Sequence, residues 1–453
     1  MRKIKEGILI FSKIKYRHKS SFTVFTKNQK MVMKRRCYFF SKFFPILIFS
    51  TLSIFSVFGF SKPLELKNGI WRATIERTDG KEIVFNFQSE DSAGKKIIYL
   101  INGKEHLLVD SVEIRADSVF IELPFFESGF KARITNKGNL EGEWIKHYGE
   151  RILRLPFKAI FNAKRFEVTS APFADISGRW VSDFYKNNKK TSTFVAEFKQ
   201  QGSHVTGTFL DPTGDFRFLE GVVTGDTLKL STFDGANAYL LTAKIDNENK
   251  ISGGMFYSGA TGTESWSAVR NEKAKPASGF DETKLKPGAS KLNFTFPDSK
   301  TGKPVSINDK RFKGKVVVVQ LLGSWCPNCM DETKFLSAYY NKNHKRGIEI
   351  IGLAYERTTD FKSSQQALMP FEKRLNVKYP VLITGVAVSD SLKTEKTLPQ
   401  LEQIKAFPTI IFVSKKGNIQ KIDSGFSGPA TGDEYTKFKK EFDRIINQLL
   451  NEK

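Results

Sequence analysis

Cysteine is almost absent from this chain. Three occur in 453 residues, Cys37, Cys326 and Cys329, too few for a scaffold held together by many disulfides. Histidine is scarce as well: of the five, none forms a His-x(3–5)-His pair. Zinc sites usually need two well-spaced ligand pairs, so no metal is assigned, and no cofactor either. Helical periodicity is nearly missing between residues 65 and 270, which excludes a helix bundle there. A dense basic cluster is missing after the first 61 residues. The net charge is +24, but residues 1–61 hold +12 of it, and the other +12 is spread over 392 residues. Diffuse charge of that kind serves solubility rather than phosphate binding, so no nucleic-acid partner is expected.

What is present begins with a leader. Lys34, Arg35 and Arg36 precede an apolar run that continues to Phe60 with only Lys42 interrupting it. A basic segment, an apolar segment and small residues near Gly59 and Ser61 predict an export signal over residues 1–61. Residues 43–60 are 18 uncharged positions, so membrane anchoring through 43–60 is the alternative. Either way the chain is expected in the periplasm or cell envelope. Cys37 stands at the start of the apolar run rather than just after it, which does not fit a lipid-modified cysteine.

The middle of the chain repeats itself. Gly69 and Trp71 have counterparts in Gly178 and Trp180, and Asp117 in Asp226, each 109 residues on; Gly142 and Gly253 are 111 apart. Ordered landmarks at nearly one offset predict a duplication, with β-rich repeats over 62–165 and 166–270. Segments such as EIVFNFQ, KIIYLI, TLKLSTF and YLLTAKI are short strands, separated by turn pairs including Asp79-Gly80, Asn102-Gly103 and Asp234-Gly235. Such half-buried meanders need a second layer, so the two copies are expected to pack together. Trp71, Phe125, Phe126 and Trp180 are core residues on this reading. The alternative makes them the ligand surface of a β-rich binding module with an accessory redox domain.

A linker over 271–290, rich in Lys, Pro, Gly and Ser, precedes a change of grammar and is expected to leave the last domain partly free to move. From 291 to 453 strands and helices alternate. KVVVVQLL is a fully apolar strand, as buried parallel strands are. A helix follows from Cys326 to about Asn343, then the strand IEIIGLAY. Further on come a helix interrupted at Pro370, the strand YPVLIT and a helix LPQLEQIKAF. A hairpin turning at Lys416-Gly417 and a terminal amphipathic helix from Asp433 complete an α/β sandwich.

Cys326-Pro-Asn-Cys329 opens the first of these helices. At a helix start, free N–H groups and the macrodipole favour a thiolate on Cys326, and Pro327 suits the first turn. Cys329 lies three residues on, over the same face and close enough to close a disulfide. Cys326 is then the exposed nucleophile and Cys329 the more buried resolving thiol, with Trp325 shielding one side. Pro408, at the start of the strand TIIFV, is a candidate cis proline.

Taken together, VVVVQLLGSWCPNC, Phe407-Pro408-Thr409 and IIFVSKKGNI resemble the thioredoxin fold, and more closely its TlpA/ResA-like branch of exported thiol-disulfide oxidoreductases. The resemblance covers 291–453. Together with the repeats it predicts a multi-domain protein: a duplicated antiparallel all-β N-terminal region, read from the offsets, and a C-terminal α/β thioredoxin-like domain, implied by the resemblance. It also implies a cis Pro408 beside the disulfide, with Trp325, Phe407 and Pro408 facing substrate. Thioredoxin carries a buried Asp six residues before its first cysteine; here that position is Gln320. The ResA-like branch instead has a Glu three residues after its second cysteine, matched by Glu332. At i, i+3 Glu332 shares a helix face with Cys329, which makes it a candidate proton acceptor; an exposed helix carboxylate is the alternative. The partners implied are disulfide-containing protein substrates and a membrane electron-donor protein. A peroxiredoxin-like peroxidase is the rival enzyme, but it would need Thr or Ser where Gly323 stands.

Overall fold

A computed structural model describes residues 65–149, 151–276 and 283–452. The leader and its apolar run 43–60 lie outside the described residues. Among the described residues no helix is long and apolar enough to cross a membrane.

The first sheet has nine antiparallel strands: β1 (Gly69–Glu76), β2 (Glu82–Ser92), β3 (Lys95–Asn102), β4 (Glu105–Val109), β5 (Ser111–Arg115), β6 (Ser118–Glu122), β7 (Ser128–Ile134), β8 (Leu140–Tyr148) and β9 (Arg151–Phe161). Its order is β4-β3-β2-β1-β9-β8-β7-β6-β5. First and last strands therefore pair, with Ala73 opposite Ala159, and a seam remains between β4 and β5. Alternation drives the curvature: Trp71, Ala73 and Ile75 of β1 point inward with Phe85, Phe130, Trp144 and Phe157.

The second sheet comprises β10 (Gly178–Lys186), β11 (Lys189–Gln201), β12 (His204–Asp211), β13 (Gly214–Asp215), β14 (Leu219–Thr224), β15 (Thr227–Phe233), β16 (Ala238–Asn247), β17 (Lys250–Ser258) and β18 (Gly262–Arg270). It runs β11-β10-β18-β17-β16-β15-β14-β12-β13, and a further β11–β12 pairing closes it on itself. This sheet thus covers its apolar face by closure, which abolishes edges, and does not need its neighbour as a second layer. Trp180, Phe184, Phe209 and Trp266 fill it. Trp71 and Trp180 are both fully buried, and each indole donates to the carbonyl four residues before it, Lys67 and Ile176. They are core residues, not a ligand surface.

The barrels nevertheless join. Phe233, at the end of β15, enters the first barrel's core, stacked 4.3 Å from Phe85 between ring centroids and edge-on to Trp144. Arg165, on the connection between barrels, reaches Asn86 in one and Ser231 and Glu220 in the other.

The third region adds β19 (Thr295–Pro297), β20 (Pro304–Ser306), β21 (Val316–Leu322), α1 (Pro327–Asn343), β22 (Ile348–Ala354), α2 (Phe361–Arg374), β23 (Val381–Ile383), α3 (Lys393–Thr397), β24 (Thr409–Val413), β25 (Ile419–Ser424) and α4 (Asp433–Asn451). Its five-stranded sheet is ordered β23-β22-β21-β24-β25, with β21 parallel to β22 and antiparallel to β24. Every β21 residue is buried because both faces are covered. Val316, Val318 and Leu322 meet α1 and α4, while Val317, Val319 and Leu321 meet the opposite layer.

Three local expectations change. Pro370 does not interrupt α2, which continues to Arg374. LPQLEQIKAF is not a helix. Leu285 bridges Leu401, Lys286 N–H donates to Gln400 O and Glu402 N–H to Lys284 O, so the linker satisfies this backbone instead. The linker also does not leave the last domain standing apart. Arg179 of β10 pairs with Glu434 of α4 at 2.8 Å, Arg374 of α2 with Asp110 at 2.6 Å, and Phe125 packs edge-on to Phe371.

Truncating Phe233 should therefore weaken the barrel it does not belong to. Phe233→Ala is expected to cost about 3–5 kcal/mol, seen in urea unfolding followed by the fluorescence of the barrel tryptophans.

Candidate active site

β21 ends at Leu322 and the chain turns through Gly323, Ser324 and Trp325 into α1. Cys326 is the N-cap of α1 rather than its first residue, and its Sγ accepts from Cys329 N–H at 3.1 Å. Pro327 takes the first helical position, where no N–H is needed. Cys326 and Cys329 are joined as a disulfide, with Cα atoms 5.2 Å apart. The Phe407–Pro408 peptide is cis, and Phe407 O lies 3.6 Å from Cys326 Sγ. Trp325 packs edge-on to Phe407 and donates from its indole to Tyr355 O at 2.8 Å. The fold thus brings Trp325, Cys326, Cys329, Phe407 and Pro408 together. Gly323 has no room for a β-carbon, which would collide with the Trp325 indole; the Thr or Ser of a peroxidase does not fit there.

Glu332 is not an exposed helix carboxylate. It is 0% exposed, one helical turn beyond Cys329. Gln320, from the β21 face that meets α1, donates to Glu332 Oε2 at 2.8 Å. Gln320 in turn accepts from Thr333. The other carboxylate oxygen, Oε1, is buried with no hydrogen-bond partner. Burial pushes the Glu332 carboxyl well above the ordinary range, against the lowering effect of the Gln320 bond. Gln320 and Glu332 thus form a buried amide–carboxyl pair whose carboxyl binds a proton more tightly than an ordinary carboxylate does.

Cys326 is not the exposed thiol anticipated; it is 5% exposed, against 0% for Cys329. Barrel segments lie against the residues on either side of it. On one side the loop between β12 and β14 lies over the Cys-Pro-Asn-Cys turn. Asn328 Nδ2 donates to Asp215 O at 3.4 Å, and a β-carbon on Gly214 would collide with the Asn328 amide. On the other side Arg357 is flanked by the Trp325 ring and by Tyr148 at the end of β8, 5.6 and 5.0 Å from their centroids. Phe126, from the β6–β7 turn, belongs to the same apolar cluster as both cysteines.

Behind the loop sits a buried charge cluster. Arg217 is 1% exposed. Its guanidinium binds Asp331 of α1 through Nε at 3.0 Å, Asp234 of the second barrel through Nη1 at 2.8 Å, and Glu105 of the first barrel. Asp215 accepts from Gly428 N–H at 2.7 Å and from Arg217 N–H at 2.6 Å. Burial raises Asp215 to about 7, with Asp331 adding to the effect. Burial also raises Glu105, against the pull of Arg217.

Sequence reasoning missed these residues and also Glu356. Glu356 follows β22, and its carboxylate accepts from Ser324 N–H at 2.9 Å and Ser324 Oγ–H at 2.7 Å, fixing the turn two residues before Cys326. A carboxylate just past the end of a buried strand, beside the cysteine strand, was the available signal.

Three kinds of relative match. Residues 286–437 match the Redoxin family model. A protein named thiol-disulfide oxidoreductase ResA from Bacillus thuringiensis subsp. konkukian is 29% identical over 156 residues, covering 34% of this chain and 80% of its own. Its namesake from Bacillus subtilis is 25% identical over 138 residues, covering 30% and 67%. Among solved structures, the thioredoxin domain of a thiol-disulfide oxidoreductase from Bacteroides vulgatus is 26% identical, covering 35% of this chain and 98% of its own, with a TM-score of 0.26. A thioredoxin-family thiol:disulfide interchange protein from Chlorobium tepidum is 20% identical, covering 39% and 100%, with a TM-score of 0.27.

Burial raises Glu356 from an ordinary 4.5 to about 7, against the lowering effect of its Ser324 bonds. The folded chain then holds a proton that the unfolded chain releases first. This stability is complete below pH 4.5 and lost as pH rises to about 7, amounting to roughly 3 kcal/mol. Glu356→Gln, which keeps both Ser324 contacts, should flatten that part of the fall in urea-midpoint measurements from pH 4.5 to 8; an unchanged slope would count against it.

Proposed function

Because the C-terminal domain is a ResA-like, thioredoxin-type thiol-disulfide oxidoreductase, we propose that the whole protein reduces or exchanges disulfides of envelope proteins through Cys326 and Cys329. The observation that carries this reading is the cysteine pair itself: a disulfide at a helix N-terminus beside the Phe407 carbonyl. In the reduced enzyme the Cys326 thiolate attacks one sulfur of a substrate disulfide, forming a mixed disulfide and releasing the other sulfur as a thiolate. Trp325 and the Phe407–Pro408 backbone hold the substrate chain. Cys329 then loses its proton and attacks Cys326 Sγ, so that the second substrate sulfur leaves reduced and the enzyme disulfide is restored. Two electrons have passed from the enzyme to the substrate. A dithiol electron-donor protein of the membrane returns them by the same exchange in reverse.

In its ionised form Glu332 is the acceptor for the Cys329 proton. An ordinary carboxylate is too weak a base to hold a proton taken from a thiol of pKa about 8.5. Burial strengthens Glu332 as a base, and its Oε1 has no other partner to give up.

The chain is exported, by a cleaved signal or an anchor within 43–60. The barrels are duplicates. Numbered from its own first strand, each follows one meander in which first and last strands pair, and β13 is the shortened counterpart of β4. Gly69 and Gly178 share a left-handed backbone, φ 132° and 117°. Gly142 and Gly253 do not, since only Gly253 has positive φ.

Cys326→Ser should abolish reduction of an oxidised protein substrate in a turbidity or fluorescence assay. Cys329→Ser should accumulate a mixed disulfide visible on a non-reducing gel; full activity in Cys326→Ser would end the redox reading. Glu332→Gln should slow the resolving step on the order of 10²-fold and change the shape of the pH–rate profile while binding of substrate persists. A profile identical to that of the parent would remove Glu332 from the mechanism.

A further inference from the structure

The barrels reach the cysteine turn from both sides, and this constrains what can approach Cys326. The loop from Asp211 to Arg217 lies on the face beside Asn328. The Pro212 and Thr213 backbone packs so closely on Gly425 that a β-carbon there would stand 2.6 Å from Thr213 Cα. Asp215 is tied to Gly428 N–H. This loop therefore rests on two segments of the redox domain at once, the Cys-Pro-Asn-Cys turn and the turn after β25. The Arg217 cluster fastens it to α1. On the opposite flank Tyr148, Arg357 and Trp325 form a stack. Between the first barrel and the redox domain lies a cleft of about 1520 Å³, lined by Phe126, Tyr148, Arg357 and Phe371 and reaching Ser324, two residues before Cys326.

We propose that the two barrels form a collar that limits Cys326 to slender substrates: disulfides on short peptides or on extended, unfolded segments of polypeptide. This rests on the oxidoreductase reading and adds the substrate class. A disulfide on a folded protein brings its surrounding surface with it. That surface would have to occupy the space held by residues 211–217 on one side and by Tyr148 on the other. An extended chain needs a slot only about 5 Å by 10 Å in section. The cleft offers such a chain aromatic rings together with charges of both signs, Lys131, Arg151, Glu113 and Glu127, which suits main chain and mixed side chains rather than one small ligand.

The test uses full-length protein carrying Cys37→Ser and Cys329→Ser, so that Cys326 is its single thiol. Its rate of modification by N-ethylmaleimide is compared with that by the same maleimide linked closely to a folded globular carrier. Both rates are normalised to those on free glutathione. The carrier-linked reagent is expected to fall behind by about 100-fold or more, the protection given by a closed, cooperatively held cover. Equal normalised rates would overturn the proposal. Tyr148→Ala with Arg357→Ala, which opens one of the two flanks, should raise the carrier rate severalfold and leave the N-ethylmaleimide rate unchanged. If that double variant does not fold, the parent comparison still decides. With the unmodified enzyme, a short peptide disulfide should be reduced faster than the same disulfide displayed on a folded carrier, and equal turnover would likewise overturn the collar. Failure to reduce either substrate would refute the oxidoreductase reading while the alkylation result still reported on the collar.

Discussion

One buried guanidinium ties the molecule together. Arg217 draws a carboxylate from each of three regions, Glu105 from the first barrel, Asp234 from the second and Asp331 from the cysteine helix. Removing one partner of a buried ion pair costs about 3–5 kcal/mol, because the charge left behind has neither water nor a counter-ion. Arg217 itself has an αL backbone, φ 57°, an uncommon conformation for a residue with a β-carbon. The cluster holds more carboxylates than cations. Burial accordingly raises Glu105 and Asp215, which lets the site shed negative charge as protons bind. The position of the loop over Asn328 follows from where this cluster is anchored.

The redox domain was the most legible part of the sequence, since its signals are local. An apolar strand, a Cys-x-x-Cys at a helix start and a proline at a strand start lie within short windows. The face shared by Cys329 and Glu332 follows from helical geometry alone. The depth at which Glu332 sits does not, because it depends on Gln320, twelve residues away on a different element. LPQLEQIKAF misled because its leucines and isoleucine have helical spacing, yet its backbone partners come from the linker more than a hundred residues earlier.

The collar was invisible for a stronger reason. Arg217 and Asp331 are 114 residues apart, and Arg217 and Glu105 112. Nothing in DFRF distinguishes a surface arginine from a buried hub. By sequence, Phe125 and Phe126 fit either a core or a ligand surface. Phe126 proved to be neither a simple barrel core residue nor an exposed one, since it packs into the cluster that contains the cysteines. Barrel strands could be found from alternation and turn pairs. How they close depends on pairings such as Trp71 with Phe161, which no short window contains.

Gly214 gives the turn between the cysteines an unusual dependency. In proteins of this type the two residues between the cysteines are the natural place to adjust how strongly the dithiol donates electrons. Here the second of them, Asn328, is packed against a glycine of the second barrel that has no room for a β-carbon. A bulkier residue at 328 would have to push the 211–217 loop away, and a side chain at 214 would have to push Asn328 aside. A larger side chain at 328 and a reshaped barrel loop can therefore arise only in step.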